Sequence, residues 1–362
     1  MSGVVSKVLI GGGGFSGLAA AITFRQRGVG VDLVERQSAN TTYGAGISIG
    51  GPTLRALKSL GVLGRYLAEG YACDGTEIRL PHGQVIQSIP TPRVAGPEVP
   101  GNGAVMRPVL AAILHEAAVA AGANLRFGTA LSEVDSAPFD LVVCAEGLHS
   151  ETRHRLFPHA PAPVYRGQGV WRAVLPRLPE VRHTILWVSE HLKVGVNPVS
   201  PDAMYLFVNE NSPEPRRVEA AGSDRELRGL LAAFPDPLVQ AMRGAITTQS
   251  HILYRPIEQF LLQLPWHSGY TVLIGDAVHA TTPHLAAGAG IGIEDAIVLA
   301  EECARAESVG TALTDFEARR WDRCRMVVEN SARLGDIETS HGDKAEHARV
   351  MTRSFAALCE EI

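Results

Sequence analysis

Two short apolar runs flank a helical pattern near the start of the chain. Val4 to Ile10 is rich in β-branched residues, and Gly30 to Val34 is apolar again. Between them, Leu18 to Arg27 carries apolar residues at helical spacing and ends before Gly28. Such short runs predict buried strands, and the pattern between them predicts the helix that joins two parallel strands.

The same alternation continues along the chain. Helices are predicted over Thr53 to Leu60 and Val109 to Ala121, because a glycine follows each pattern. Strands are predicted near Ala123 to Phe127 and at Leu141 to Cys144. We therefore expect an α/β fold of Rossmann type, with a parallel sheet covered by helices.

The middle of the chain has a different pattern. Five prolines interrupt residues 77–100, and short alternating segments dominate from about 164 to 262. Examples are Thr184 to Val188, Leu192 to Val196 and Ala203 to Val208. Alternation with a period of two residues predicts an antiparallel sheet.

Strand-then-helix character returns at Thr271 to Ala300, and the tail from about Thr314 has the pattern of charged, amphipathic helix. We therefore predict one α/β domain in three separated pieces, an inserted β-rich domain and a helical C-terminal segment. Their bounds are 1–76, 101–163 and 264–310 for the first, 77–100 and 164–263 for the second, and 311–362 for the last.

Composition and charge narrow the class of protein. Of the 362 residues, 46% are apolar and 20% charged, which is typical of a compact protein. The net charge of −5, without a basic stripe, argues against a nucleic-acid partner. The five cysteines are scattered and odd in number, so neither a disulfide framework nor a metal site is expected. Because no apolar run reaches the roughly 18 residues of a membrane span, we predict a cytoplasmic protein.

A glycine-rich sequence stands between the first predicted strand and helix. Only the register that starts at Gly12 gives a glycine at all three positions of G-x-G-x-x-G, the last being Gly17. Such glycines allow a tight turn, a close approach of pyrophosphate and close packing of helix on strand. Glu35, 18 residues beyond Gly17, can accept both hydroxyls of an adenosine ribose. The motif predicts a dinucleotide site, while an incidental turn, or NAD alone, stays open at this point.

A second candidate site begins at Val272-Leu273-Ile274-Gly275-Asp276-Ala277. A carboxylate directly after a buried strand is well placed to accept hydrogen bonds from polyol hydroxyls. Gly288-Ala289-Gly290 opens the next helix, whose N-terminus can approach a planar ring and stabilise negative charge on a reduced flavin. These features suit a flavin, although Asp276 by itself could also cap a turn.

Several motifs occur in a recognisable order. They are Gly12 to Gly17 with Glu35-Arg36, Gly44-Ala45-Gly46-Ile47, Val105-Met106-Arg107-Pro108-Val109-Leu110, and Gly275 to His284. In this order they resemble the class A flavoprotein aromatic hydroxylases, and the segment from Gly275 to Asp295 is similar to the salicylate hydroxylase branch. The resemblance spans nearly all of residues 5–300, with its motifs confined to the cofactor-facing parts.

The resemblance implies a cofactor, a reaction and a set of roles. It implies FAD that NADH or NADPH reduces, and a flavin C4a-hydroperoxide that attacks a small aromatic or heteroaromatic acid or phenol. In the family, the residue matching Arg107 contacts FAD, the one matching Asp276 holds the ribityl chain, and the one matching Pro283 lies near the reactive edge. The other positions expected to contact FAD are Gly12, Gly14, Phe15, Ser16, Gly17, Glu35, Arg36, Gly46, Ile47, Leu131, Gly275, Gly288, Ala289 and Gly290.

Two residues depart from the family pattern. Glu146 of Ala145-Glu146-Gly147 stands where the family usually has aspartate, at a motif implicated in FAD and pyridine nucleotide handling. Ala286 stands where many relatives have glycine, which could tighten the surroundings of the flavin. The first departure puts the use of the reductant in doubt, and neither removes the FAD prediction.

Residues on the substrate side are predicted from the chemistry of ring hydroxylation. A base or a tyrosine relay near the ring hydroxyl is expected, and an arginine or histidine could hold a carboxylate. The catalytic candidates are Pro283, His284, Tyr205 and His251, with His284 preferred because it follows Pro283; Arg172 and His191 are further candidates. Apart from Pro283, the more common explanation of each is an ordinary strand residue whose polar tip is satisfied or solvated.

We therefore predict a two-domain α/β flavoprotein with a Rossmann-type FAD domain, an inserted antiparallel sheet and C-terminal helices. The leading function is NAD(P)H-dependent mono-oxygenation, with a small aromatic substrate and molecular oxygen as partners, by a monomer or homodimer. A flavin oxidase or reductase on the same fold is the enzymatic alternative, since fold does not fix reaction. A catalytically silent FAD-binding protein is the alternative from another class.

Overall fold

Two large β-sheets, a small third sheet and a set of helices make up the fold of the computed structural model, which describes residues 3–38 and 44–362. The strands in these residues are β1 Lys7–Gly11, β2 Gly30–Glu35, β3 Gly46–Gly50, β4 Tyr71–Cys73, β5 Thr76–Arg79, β6 Val85–Ile89, β7 Asn102–Met106, β8 Asn124–Phe127, β9 Leu141–Cys144, β10 Val164–Pro176, β11 Thr184–Val188, β12 Leu192–Pro198, β13 Ala203–Asn211, β14 Ile252–Gln259, β15 His267–Ser268 and β16 Thr271–Leu273. The helices are α1 Phe15–Gln26, α2 Gly51–Ser59, α3 Leu63–Glu69, α4 Arg107–Ala120, α5 Glu151–Leu156, α6 Ser223–Leu231, α7 Pro237–Ala245, α8 Asp276–His279, α9 Gly288–Arg305, α10 Val309–Thr339 and α11 Lys344–Cys359.

The first sheet is the predicted parallel one. Its six strands run in the order β15-β16-β9-β1-β2-β8, and β1 pairs in parallel with both β2 and β9. Strand β1 begins at Lys7 rather than at the predicted Val4, because pairing with β2 begins at Lys7 opposite Gly30. Helix α1 begins at Phe15, directly after the glycines, rather than at the predicted Leu18. The predicted Rossmann-type α/β fold is confirmed, with small shifts at the ends of its elements.

The second sheet has seven strands in the order β14-β10-β13-β12-β11-β5-β6. Its pairs are antiparallel except for the parallel pair of β5 with β11. The two strands from the proline-rich stretch 77–100, β5 and β6, thus join the sheet built by residues 164–259. The domain bounds themselves stay a prediction.

One face of the second sheet packs against helices α6 and α7. Trp171, Trp187 and Leu206 alternate toward this face and meet Leu231 and Phe234 in a buried cluster. The sequence predicts that strands dominate 164–262, and α6 and α7 are helices within this stretch that it did not indicate. Both helices have only nine residues, and α7 begins with a proline, so the apolar spacing is too short to stand out.

The opposite face of the second sheet is turned toward the small third sheet, which has the order β3-β7-β4. Tyr205 from β13 joins Ala45 and Ala104 in a separate buried cluster there. The α/β part and the inserted sheet meet at this cluster. Gly46 of β3 and Tyr205 of β13 lie against each other at this interface.

The predicted helical tail consists of α10, 31 residues long, and α11. Helix α10 packs against α9 and α8 and also contacts β10. The C-terminal segment therefore touches both the cofactor-side helices and the inserted sheet. No helix in residues 3–38 and 44–362 is both long and apolar enough to cross a membrane.

Candidate active site

In the glycine loop between β1 and α1, the backbone packs so closely at two positions that any side chain would clash. Gly12 has φ +108°, and a Cβ on it would lie 2.3 Å from the Ala145 carbonyl oxygen. A Cβ on Gly17 would lie 1.9 Å from the Gly12 carbonyl oxygen, whereas one on Gly14 would meet nothing within 4 Å. The loop is therefore closed on the protein side and open at Gly14. No side chain caps α1, so its first N–H groups are free to bind an anion.

Glu35 lies against this loop at the end of β2. Its Oε2 accepts a hydrogen bond from the Gly13 N–H at 2.7 Å, and its Oε1 accepts one from the Gln37 N–H at 2.9 Å. The carboxylate is thereby held beside the open side of the loop, and each oxygen keeps a further lone pair for a hydroxyl. The neighbouring Arg36 is exposed and pairs with Glu151 at 3.3 Å.

Leu131 packs beside the strand that leads into the loop. A Cβ on Gly11 would lie 2.6 Å from the Leu131 Cδ2 atom. Leu131 opens a single 3₁₀ turn after β8 and is nearly buried. The structure thus brings Leu131 to the same edge of the sheet as Glu35.

The Asp276 turn meets the glycine loop through Ser16. A Cβ on Gly275, which has φ +63°, would lie 2.4 Å from the Ser16 Oγ atom, and one on Gly292 would lie 2.3 Å from it. These contacts hold the first turn of α1 against α8 and α9. The two predicted glycine-rich sites therefore form one continuous surface. Helix α9 begins at Gly288 as predicted, with no side-chain cap on its N-terminus.

A cation and an anion face this surface. The half-buried Arg107 lies at the start of α4, with its guanidinium 5.6 Å from the Phe15 ring centre. Burial and the nearby Arg172 lower the pKa of Arg107, while Asp276 and Tyr205 oppose the shift. Within the described part of the chain, no group accepts a hydrogen bond from its guanidinium.

Asp276 is accessible to solvent although protein surrounds it. Burial raises the pKa of its carboxyl, and His279 and Arg107 partly oppose that rise. An extended ligand with a hydroxylated chain would restore hydrogen bonds to such a carboxylate. The open loop at Gly14, the free cation of Arg107, Asp276 and the uncapped α9 together fit an extended dinucleotide.

Tyr205 and Arg172 come together on the inserted sheet. Arg172 Nε donates a hydrogen bond to Tyr205 Oη at 3.1 Å. Both project from the face opposite α6 and α7, since the pairs Arg172–Phe207 and Val174–Tyr205 alternate with Trp171 and Ala173. Gly46 and Ile47, which are predicted to contact FAD, lie on the facing strand β3. A Cβ on Gly46 would lie 2.5 Å from the Tyr205 ring. Glycine at position 46 therefore lets the two sheets approach at this tyrosine.

The structure directs His284 away from open space. Pro283 is exposed at the start of a 3₁₀ turn, but the side chain of His284 is fully buried. Its Nδ1 is 2.9 Å from Thr282 Oγ1, and its Nε2 is 3.3 Å from Glu338 Oε2 on α10. Burial and Lys193 lower the pKa of His284, so the imidazole is neutral at neutral pH. The polar atoms of His284 thus face Thr282 and α10, and its predicted place in the pocket stays a prediction.

The other two histidine candidates are exposed. His251 is exposed just before β14 and has no side-chain hydrogen bond within the described residues. His191 is exposed before β12, with its ring 5.1 Å from that of His341. Within the described residues, Arg172 and Tyr205 bind each other, whereas neither histidine has a hydrogen bond to either of them.

Glu146 folds back onto its own loop. Its Oε2 accepts hydrogen bonds from Ser150 Oγ at 2.7 Å and the Thr152 N–H at 3.0 Å. Burial raises the pKa of its carboxyl, but these hydrogen bonds outweigh it and the net pKa is lowered. The extra methylene relative to aspartate is thus used to hold the start of α5.

Two ionic clusters, a fully buried one around Asp295 and a half-buried one around Glu338, were missed from the sequence. One joins Glu338 to Lys193 Nζ at 2.6 Å and to His347 Nε2 at 3.2 Å, beside His284. The other surrounds Asp295 with His279 and Arg320 beneath the Asp276 turn. No local sequence pattern predicts these ionic clusters, because the residues that pair in them are far apart in the chain.

Comparison with known proteins agrees with this geometry. The model of a family described as "FAD binding domain" matches residues 5–137 and 137–331. The chain is 30% identical to the putative FAD-dependent monooxygenase YetM of Bacillus subtilis (strain 168), over 91% of this chain and 93% of that one. It is 30% identical to the aurachin C monooxygenase/isomerase of Stigmatella aurantiaca, over 91% and 89%.

A solved structure shows the same fold. Klebsiella pneumoniae HpxO complexed with FAD and uric acid superimposes with a TM-score of 0.80 at 23% identity, over 98% of this chain and 93% of that one. At this identity the likeness shows the fold, and the family match comes from the sequence.

Proposed function

The chain belongs to the family of FAD-binding monooxygenases of the aromatic hydroxylase type, and from that premise we propose that it uses NADH or NADPH to hydroxylate a small aromatic or heteroaromatic acid or phenol. FAD is its cofactor. Bound FAD supplies the activation of molecular oxygen at the expense of the reduced nicotinamide. The chain's own residues must therefore hold FAD, hold the ring and exclude water.

The cofactor is held by the two loops that Ser16 joins. Gly14 and the first N–H groups of α1 receive the pyrophosphate, Gly12 and Gly17 allow the tight turn and the close packing behind it, and Glu35 receives the adenosine ribose. Asp276 holds the ribityl chain, and Arg107 balances negative charge beside it. The remaining contacts come from Phe15, Ser16, Arg36, Gly46, Ile47, Leu131, Gly275, Gly288, Ala289 and Gly290.

The pair of Arg172 and Tyr205 is the observation that carries the substrate assignment. Tyr205 Oη already accepts a hydrogen bond from Arg172 Nε, so its own O–H is free to donate to an oxygen of the substrate. The remaining guanidinium N–H groups can bind a carboxylate or a phenolate. Both effects favour an anionic ring, which is the more reactive form toward an electrophilic oxygen.

Pro283 and the sheet supply the walls of the substrate chamber. Pro283 is exposed at the start of its turn, while Thr282 and Glu338 hold His284 behind it. The ring of Phe207 lies 5.7 Å from that of Tyr205 and adds an apolar surface. Such a lining keeps water from the reacting oxygen.

Two alternative functions follow from the environment of Glu146: a flavin oxidase or reductase, and a catalytically silent FAD-binding protein. Its carboxylate is engaged within its own loop, at the motif where the resemblance places nicotinamide handling. Weak use of the reductant would follow if that motif needs a free carboxylate. The experiments below separate the three functions.

Anaerobic mixing of the purified, FAD-loaded protein with NADH and NADPH is the first experiment. We expect the flavin absorbance to bleach, faster when a substrate is bound. Oxygen uptake and hydrogen peroxide are then measured over a panel of aromatic acids, phenols and neutral analogues. Uptake coupled to a hydroxylated product, without matching peroxide, supports hydroxylation. Stoichiometric peroxide with every ligand would establish an oxidase, and flavin that never bleaches would establish the silent protein.

Replacement of Asp276 tests the cofactor assignment by itself. We expect Asp276→Ala to lose most of its bound FAD, because no other side chain is assigned to the ribityl hydroxyls. The ratio of flavin to protein absorbance after purification measures the loss. Full retention of flavin in a folded variant would contradict the assignment.

A further inference from the structure

Asp295 lies on α9 directly beneath the Asp276 turn and is fully buried. Its Oδ2 accepts a hydrogen bond from the Gly275 N–H at 2.9 Å and lies 2.6 Å from His279 Nε2. Its Oδ1 accepts a hydrogen bond from Arg320 Nε at 2.8 Å. One carboxylate therefore binds groups from two elements outside its own helix.

Gly275 and His279, which both bind Asp295, lie on either side of Asp276, the residue assigned to the ribityl chain of FAD. Gly275 precedes the single-turn helix α8, Asp276 is its first residue and His279 is its last. One oxygen of Asp295 thus holds both ends of this turn. Gly275 has φ +63°, a conformation that only glycine adopts readily, and the hydrogen bond from its N–H to Asp295 fixes the backbone directly before Asp276.

Arg320 connects the same carboxylate to the C-terminal helix α10. It also donates to the Ile291 carbonyl oxygen at 3.0 Å and lies 3.0 Å from Glu294 Oε2. A buried ionic group of this kind contributes little net stability, because desolvation offsets the attraction. Its specific geometry is the more informative feature, since removal of one partner would leave the others misdirected.

A bound metal ion does not account for the cluster. His279, Asp295 and Cys324 each offer an atom within 4.8 Å of the others. Arg320, however, already occupies Asp295 Oδ1 with a fixed positive charge. The other oxygen, Oδ2, lies 2.6 Å from His279 Nε2 and also accepts the hydrogen bond from the Gly275 N–H, so both oxygens are already engaged.

We propose that Asp295 is a positioning residue for FAD, which holds the Gly275–His279 turn so that the Asp276 carboxylate faces the ribityl chain. Through Arg320, the packing of α10 then contributes to cofactor affinity although α10 itself supplies no assigned contact to FAD. The inference concerns FAD binding and does not depend on which ring is hydroxylated.

A double-mutant cycle on FAD affinity tests this role. FAD is titrated into the apoproteins of wild type, Asp295→Asn, Asp276→Asn and the double variant, and quenching of flavin fluorescence gives Kd. We expect Asp295→Asn to raise Kd about tenfold or more, because the amide cannot serve all three donors. In the Asp276→Asn background the same change should alter Kd less than about threefold, since the contact that it positions is already weakened.

Glu302→Gln is the matched control. Glu302 is equally buried and is bound by Arg305 and Arg319 near the end of α9, away from the cofactor turn. We expect this variant to lower the melting temperature, as Asp295→Asn does, while FAD Kd stays within about twofold of wild type. A purely structural role of Asp295 would instead give Glu302→Gln and Asp295→Asn the same effect on Kd.

A second variant covers the case in which Asp295→Asn does not fold. His279→Gln keeps a donor toward Asp295 but removes the charge, and we expect it to raise FAD Kd about threefold to tenfold, again only when Asp276 is intact. Wild-type Kd in a folded Asp295 or His279 variant would overturn the proposal, as would equal losses in both backgrounds. If Asp276→Asn alone leaves Kd unchanged, the assignment of Asp276 itself fails.

Discussion

Most of the hydrogen-bond donors of the Arg172 guanidinium have no partner within the described residues. Within the described residues its guanidinium donates only one hydrogen bond, from Nε to Tyr205 Oη. A charge-assisted hydrogen bond from its free N–H groups to a substrate anion would contribute about 1.5–3 kcal/mol, or at least tenfold in affinity. We therefore expect Arg172→Met to raise KM for carboxylate-bearing or phenolic substrates about tenfold or more, and to leave FAD content unchanged.

Steady-state kinetics with paired anionic and neutral ring compounds measure this effect. Arg172→Lys keeps the charge without the planar fork, and it should fall between wild type and Arg172→Met. Arg182→Met, in an exposed loop, is the control for loss of an arginine. Equal losses for anionic and neutral compounds would show that Arg172 supports the sheet rather than the ligand.

The turn that carries Pro283 depends on an element far away in sequence. Gly335 lies near the C-terminal end of α10. A Cβ on it would lie 2.9 Å from His284 Cε1. Gly335→Ala must therefore displace the His284 ring, which Thr282 and Glu338 hold in place, at a cost of about 1–3 kcal/mol in a tightly packed interior. We expect a lower melting temperature and a lower kcat, with FAD Kd changed less than kcat.

Gly310→Ala on the same helix is the matched control. Its nearest neighbour, Ser308 Oγ, would be 3.9 Å from the new Cβ, so no group has to move. Alanine favours helix over glycine by up to about 1 kcal/mol, and this variant should be as stable as wild type or more so. If both variants behaved alike, contact between α10 and the Pro283 turn would not matter for the reaction.

These elements also show what the sequence could and could not predict. The glycine loop and the Asp276 turn were predictable because their backbone demands are met by glycines at fixed local spacing, such as Gly12 and Gly17. The partners of Asp295 and Glu338 were not, since Arg320 is 25 residues from the first and Lys193 145 residues from the second. Ion pairs between residues so far apart in the chain produce no periodic pattern in the sequence.

At the scale of the whole molecule, the ionic clusters around Glu338 and Asp295 contribute to how stability depends on pH. Burial opposes the charge of Glu338, but Lys193 and His284 lower its pKa well below the ordinary 4.5. A carboxyl with a lowered folded pKa stabilises the protein above 4.5, and this contribution is lost as the pH falls from there toward the folded value. Glu338→Gln should therefore flatten the acid limb of the unfolding free energy measured in denaturant.

His279 gives the opposite dependence on the alkaline side. Burial disfavours its charge, but Asp295 raises its pKa well above the ordinary 6.5. Its contribution is therefore complete below 6.5 and is lost as the pH rises through the raised folded pKa, by at most about 1.4 kcal/mol per pH unit for one proton. We expect the unfolding free energy to fall over this range in wild type and in the exposed control His82→Gln, and to stay level in His279→Gln. A wild-type curve that remains flat from neutral pH upward would mean that His279 is neutral in the folded protein, and that Asp295 holds the Asp276 turn without an imidazolium partner.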